Sequence, residues 1–107
     1  MSLYQGDMMN QQMIESAREA TGFLKALANE NRLLVLCHLM DGEKSVGALE
    51  QLLHIRQPTL SQQLARLRAE NFVKTRRDAK TIYYSLASEE VILTIQLMHK
   101  LKWFLLF

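Results

Sequence analysis

Only one cysteine, Cys37, occurs in the chain, so no intrachain disulfide can form and no thiolate metal site can be assembled within one subunit. Long apolar runs are also missing. Nothing approaches the roughly 18 residues of a membrane span, and the N-terminus lacks a basic-then-apolar leader pattern. These absences predict a cytoplasmic protein with no membrane partner. There is no Gly-rich phosphate loop and no plausible set of nucleophile, base and orienting acid, which predicts no catalytic residues, no enzyme activity and no cofactor. Repeats, low-complexity stretches and linkers are lacking too, so residues 1–107 read as one domain, with 1–9 as a loose N-terminal arm. Hydrophobic residues at 49% and charged ones at 22% exclude a disordered chain.

The single proline, Pro58, marks a helix start, because its fixed φ and missing N–H suit the first helical turn. Leu60, Leu64 and Leu67 follow as a narrow apolar stripe, and the helix is expected to end near Glu70, with Asn71 just past it. Its outward residues Thr59, Gln62, Gln63 and Arg66 are mostly uncharged and polar, the groups that match base edges in a major groove. Before it, Ser45 caps a short helix from Val46 to Leu53, and His54-Ile55-Arg56 forms the turn. Two short helices joined so briefly are a helix-turn-helix.

After it, Phe72 to Arg76 and Thr81 to Leu86 are β-branched and aromatic runs separated by a charged tip, a two-stranded wing. Alternation puts Ile82, Tyr84 and Leu86 on the packed face and Tyr83 and Ser85 on the wet one. The apolar steps Met13, Ala17, Ala20, Leu24 and Leu27 define a first helix from about Asn10, within which Gly22 marks either a close contact or simple tolerance. A second helix runs from Glu30 to Met40, capped by Asn29 and stopped at Asp41-Gly42, with Leu33, Leu36, Cys37 and Met40 inward. Ser88 caps the last helix, which is apolar almost all round. The fold class is therefore mainly α with a β-hairpin wing: a winged helix-turn-helix of about five helices. The last helix cannot bury every side within so small a domain, which implies a homodimer through the first and last helices, with Met13, Ala17, Leu24, Ile95, Met98 and Trp103 at the interface.

Charge is unevenly spread. From Arg56 to Lys80 there are seven basic and two acidic residues, a balance of +5, while the rest of the chain carries −3. Such a concentrated basic segment is the footprint of nucleic-acid binding. The expected DNA-binding residues are Gln57, Thr59, Ser61 and Gln62 at the helix start for base edges, and Gln63 and Arg66 for phosphates. Arg76, Arg77, Lys80 and Tyr83 would act from the wing. A solvated packing helix and an ordinary charged hairpin tip are the plain alternatives, and a winged-helix protein-interaction module is the competing function. Cys37, on an inward face, is most simply a small hydrophobe.

The blocks Leu24-Lys-Ala-Leu-Ala-Asn-Glu-Asn-Arg-Leu33, Ser45-Val-Gly-Ala-Leu-Glu50, Gln57-Pro-Thr-Leu-Ser-Gln-Gln-Leu64 and Thr75-Arg-Arg-Asp-Ala-Lys-Thr-Ile-Tyr-Tyr84 resemble, in order, the bacterial ArsR/SmtB winged-helix repressors. Among them the chain looks most like the biofilm and sulfide-detoxification repressors and hemolysin regulators. The resemblance implies a dimeric, sequence-specific transcriptional regulator, repressor or anti-repressor, on a pseudo-palindromic double-stranded operator in the bacterial nucleoid. It also implies a sensor thiol at Cys37. That branch pairs this cysteine with a second one in the last helix, near the place where Trp103 stands, so an intrachain sulfur bridge is not available here. The cysteine cluster of the family's third-helix metal sensors would fall near Leu49 to Leu53, where this chain has no cysteine, so no metal site is expected.

Overall fold

The computed structural model describes residues 7–103. The elements are α1 (Asp7–Leu27), α2 (Glu30–Leu39), β1 (Lys44–Ser45), α3 (Val46–Leu53), α4 (Gln57–Ala69), β2 (Val73–Asp78), β3 (Thr81–Leu86) and α5 (Glu89–Lys100). Five helices and a hairpin wing form a winged helix-turn-helix. Helix α1 already runs at Asp7, so residues 7–9 of the expected loose arm are helical, while 1–6 lie outside the described residues.

Local signals set most boundaries. The Asn29 side chain accepts the Arg32 N–H at 3.0 Å, the Ser45 hydroxyl that of Ala48 at 3.1 Å, and the Ser88 hydroxyl that of Val91 at 3.2 Å. Each supplies one of the orphan donors at a helix start with an acceptor. Glu89 and Glu90 place negative charge on the positive end of α5. Helix α4 closes with the paired bonds of a Schellman motif, Phe72 N–H to Leu67 C=O and Asn71 N–H to Arg68 C=O, both 3.0 Å. Asn71 takes the left-handed conformation this requires, at φ 60°, and Phe72 folds back into the core.

One hydrophobic core joins Ala26 and Leu27 of α1, Val35, Leu36 and Leu39 of α2, and Leu49 of α3 to Leu60, Leu64 and Leu67 of α4. Phe72, Val73, Val91 and Ile95 complete it. Helix α2 is central, touching α3, α4, α5 and β3. Its sequence is apolar on nearly every side, so periodicity alone misplaces its deepest face: Val35, Leu36 and Leu39 are buried, whereas Leu33, Cys37 and Met40 are half-buried around them.

The sheet has three strands rather than two. Beside the hairpin, whose register runs from Val73 opposite Leu86 to Asp78 opposite Thr81, β1 pairs antiparallel with β3, Lys44 opposite Tyr84 and Ser45 opposite Tyr83. Two residues are too few to show an alternating pattern, which is why β1 escapes sequence reading. Tyr84 and Leu86 pack on the core as expected, but Ile82 is exposed on a cleft it shares with Val46 and Gln57, and Tyr83 and Ser85, expected on the wet face, are half-buried.

Helix α1 behaves differently from the rest. Near its end only Ala26 and Leu27 are buried, with half-buried Phe23 edge-on to Phe72 at 5.5 Å between ring centroids, while Met8, Met9, Met13, Ile14 and Leu24 stay exposed. A Cβ at Gly22 would meet nothing within 4 Å, so within the protomer no close approach requires glycine there. On α5, Val91 and Ile95 face the core, while Leu93, Leu97 and Leu101 lie outside. Ile95 is therefore corrected from interface to core: at 0% exposure it can meet no second subunit. Met98 is half-buried against the core and Trp103 is 73% exposed. Among the described residues no helix is long and apolar enough to cross a membrane.

Candidate nucleic-acid interface

The three buried leucines of α4 orient the remainder of that helix. With Leu60, Leu64 and Leu67 inward, the side chains of Gln57, Thr59, Ser61 and Gln62 are all exposed around its first two turns. Gln57 shares a cleft with Ser45, Gly47, Lys80, Thr81 and Ile82, so the start of α4, the start of α3 and the wing tip converge on one surface. Amides and hydroxyls stand beside a lysine there. The first group can read donor and acceptor patterns in a major groove, and the second can hold the adjacent phosphates.

Gln63 is corrected. It is half-buried, and its Oε1 accepts a hydrogen bond from Arg32 Nη1 at 3.0 Å, so its side chain is turned into the protein and away from phosphates. Arg66 turns toward Glu70, with Nε 3.4 Å from the carboxylate; both side chains are well exposed, so this pair contributes little and yields readily to a phosphate.

In the wing the cations divide. Arg76 donates from Nε to both oxygens of Glu43, at 3.0 and 2.8 Å, and from Nη2 to Glu43 Oε1. Its guanidinium also lies 4.5 Å above the ring of Tyr83, its cross-strand neighbour. The hydrogen bonds to Arg76 hold the Glu43 carboxyl below its usual range, and the same bonds raise the Arg76 pKa. Arg76 and Tyr83, expected as free DNA contacts, are thus engaged with each other and with Glu43. The side chains of Arg77 and Lys80 are exposed and make no hydrogen bond or ion pair among the described residues. Successive strand residues point to opposite faces, so Arg77 is directed away from the Glu43 side.

Cys37 is half-buried at the edge of the core, and desolvation pushes its thiol up to about 11. At neutral pH the thiol is therefore protonated, and among the described residues no positive charge offsets the cost of its burial.

Two participants escaped sequence reading. Arg32 had one available signal: it is a cation in the first turn of α2, where the helix dipole disfavours positive charge and a tertiary partner is needed. Glu43, in a short loop between α2 and β1, had none.

Residues 29–75 match the profile described as "Bacterial regulatory protein, arsR family". The chain is 46% identical over 102 residues to the transcriptional activator HlyU of Vibrio cholerae, covering 94% of each chain. The chain belongs to the ArsR family. A second relative, the biofilm growth-associated repressor of Agrobacterium fabrum, is 48% identical over 87 residues, 81% of this chain and 74% of that one. The solved structure of reduced HlyU from Vibrio cholerae superposes with a TM-score of 0.81 at 47% identity, covering 85% of this chain and 96% of that one. This ArsR-family protein is accordingly a DNA-binding transcriptional regulator. Its relatives are regulators, not enzymes.

Proposed function

We propose that two copies of this protein pair through α1 and α5 and present their α4 helices to successive major grooves of a pseudo-palindromic operator. In each copy Gln57, Thr59, Ser61 and Gln62 read base edges, and Arg77 and Lys80 hold phosphates from the wing. The observation that carries the reading is the convergence of the exposed start of α4 with Lys80 and Thr81 on one cleft. Pairing is supported by the exposed apolar residues Met13, Leu24, Leu97 and Trp103, with Ala17 on the same helix as Met13. An apolar groove lined by Leu24, Leu27, Ala28, Leu33, Thr94 and Met98 joins the end of α1 to α5. Covering such surface contributes roughly 25 cal/mol per Å².

The protein acts on nucleoid DNA in the bacterial cytoplasm, as a repressor or by displacing one; both outcomes begin with occupying an operator. Cys37 is the thiol available for a redox or sulfide input. Modification there would act by forcing a polar group into the packing around α2.

The test is a mobility-shift titration at two salt concentrations, with a duplex selected from a random pool by the protein and with an unselected duplex. Gln62→Ala should weaken the selected duplex by about 1–3 kcal/mol and the unselected one little. Arg77→Ala should weaken both and reduce the salt slope by about one. Equal losses on both duplexes for Gln62→Ala would overturn base reading, and salt-independent or absent binding would favour a protein-interaction module.

A further inference from the structure

Arg32 uses all three guanidinium nitrogens on two other helices. Nε donates to Ala26 C=O at 2.6 Å, Nη2 to Lys25 C=O at 3.2 Å, and Nη1 to Gln63 Oε1 at 3.0 Å. The first two acceptors are orphan carbonyls of the last turn of α1. Their neighbours are provided for by backbone: Leu24 C=O takes the Ala28 N–H at 2.9 Å and Leu27 C=O takes that of Asn29 at 2.7 Å. Lys25 C=O receives only a shared, longer bond from Ala28 at 3.3 Å, and Ala26 C=O relies on Arg32. The cation also complements the negative end of the α1 dipole. Its placement is otherwise unfavourable, since burial and the nearby Arg66 lower its pKa while Glu70 raises it. A planar fork can bridge such divergent acceptors; the single ammonium of lysine cannot.

We propose that Arg32 is a positioning residue for DNA recognition, locking the end of the pairing helix α1 to the reading helix α4 through Gln63. Its effect on DNA is indirect: it sets the angle at which each α4 stands to α1, and hence the separation of the two reading helices. This rests on the pairing of copies through α1 proposed above.

The test places a spin label at exposed Ala69 (Ala69→Cys in a Cys37→Ser background) and measures the distance between labels in the DNA-free protein. Affinity for the selected duplex is measured in parallel. With Arg32 intact, one narrow distance is expected. Arg32→Lys should broaden it and weaken the selected duplex about tenfold, within the range for residues sharing one hydrogen-bond network, while sedimentation still shows the paired species. Gln63→Ala severs only the α4 end, leaves the α1 cap intact, and should have the same effect if Arg32→Lys proves too unstable to study. The double variant should be no worse than either single one. A missing distance in the Arg32 protein overturns the pairing and the lock together. A narrow distance with unchanged affinity in both variants overturns the lock alone, as do additive losses in the double variant.

Discussion

Helices α1 and α4 make opposite use of apolar residues. Helix α4 drives three leucines to 0–2% exposure within 13 residues, ends in a Schellman motif and is tied laterally to Arg32. Helix α1 is 21 residues long and buries only Ala26 and Leu27, leaving Leu24 at 58% exposure. The difference is that one helix packs its apolar side chains within this chain and the other leaves most of them exposed. What α4 presents outward is therefore polar and held in place, and what α1 presents includes the exposed apolar side chains that the proposed pairing would cover.

The largest expected effect comes from denying that cover. Combining Leu24→Glu with Leu97→Glu should give a monomer by sedimentation equilibrium and lower affinity for the selected duplex by roughly 100-fold or more, because the second half-site is no longer bound as part of one unit. A double variant that remained paired and bound normally would break the contrast between the helices. Next comes Leu64→Ala on α4, expected to cost about 2–5 kcal/mol in denaturant unfolding because it opens a cavity under a fully packed helix. A loss below about 1 kcal/mol would mean that α4 is not rigidly seated. The smallest effect concerns the wing. Glu43→Gln should release Arg76, strengthen unselected-duplex binding about two- to threefold and steepen the salt slope. Asp41→Asn in the same loop, where the acid pairs with Lys44 at 2.6 Å, should do less. Equal effects would show that only net charge matters there.

Much of the protein can be read one residue at a time. Asn29, Ser45 and Ser88 cap helices because their side chains are short acceptors, Pro58 starts one, and Asn71 ends one, all through contacts within a few residues along the chain. The leucine stripe of α4 needs only helical periodicity. What the sequence leaves unread falls where partners are distant. Gln63 reads as a surface amide until Arg32, 31 positions away, is brought beside it, and Arg76 reads as a free cation until Glu43, 33 positions away, reaches it. Ile95 reads as interface because α5 is apolar on several sides, so no moment distinguishes the face that meets α2 from the one that meets solvent.

By itself, then, the sequence determined the element order, the caps, the inward stripe of α4 and the basic segment that goes with it, since these follow from local backbone chemistry and helical or strand period. Only the tertiary structure decided which polar groups on that segment remain free, because a hydrogen-bonding side chain takes whatever partner the fold brings within about 3 Å. It took Gln63 and Arg76 out of the free set, left Gln57, Thr59, Ser61, Gln62, Arg77 and Lys80 in it, and turned Arg32 from an out-of-place cation into the link between two helices.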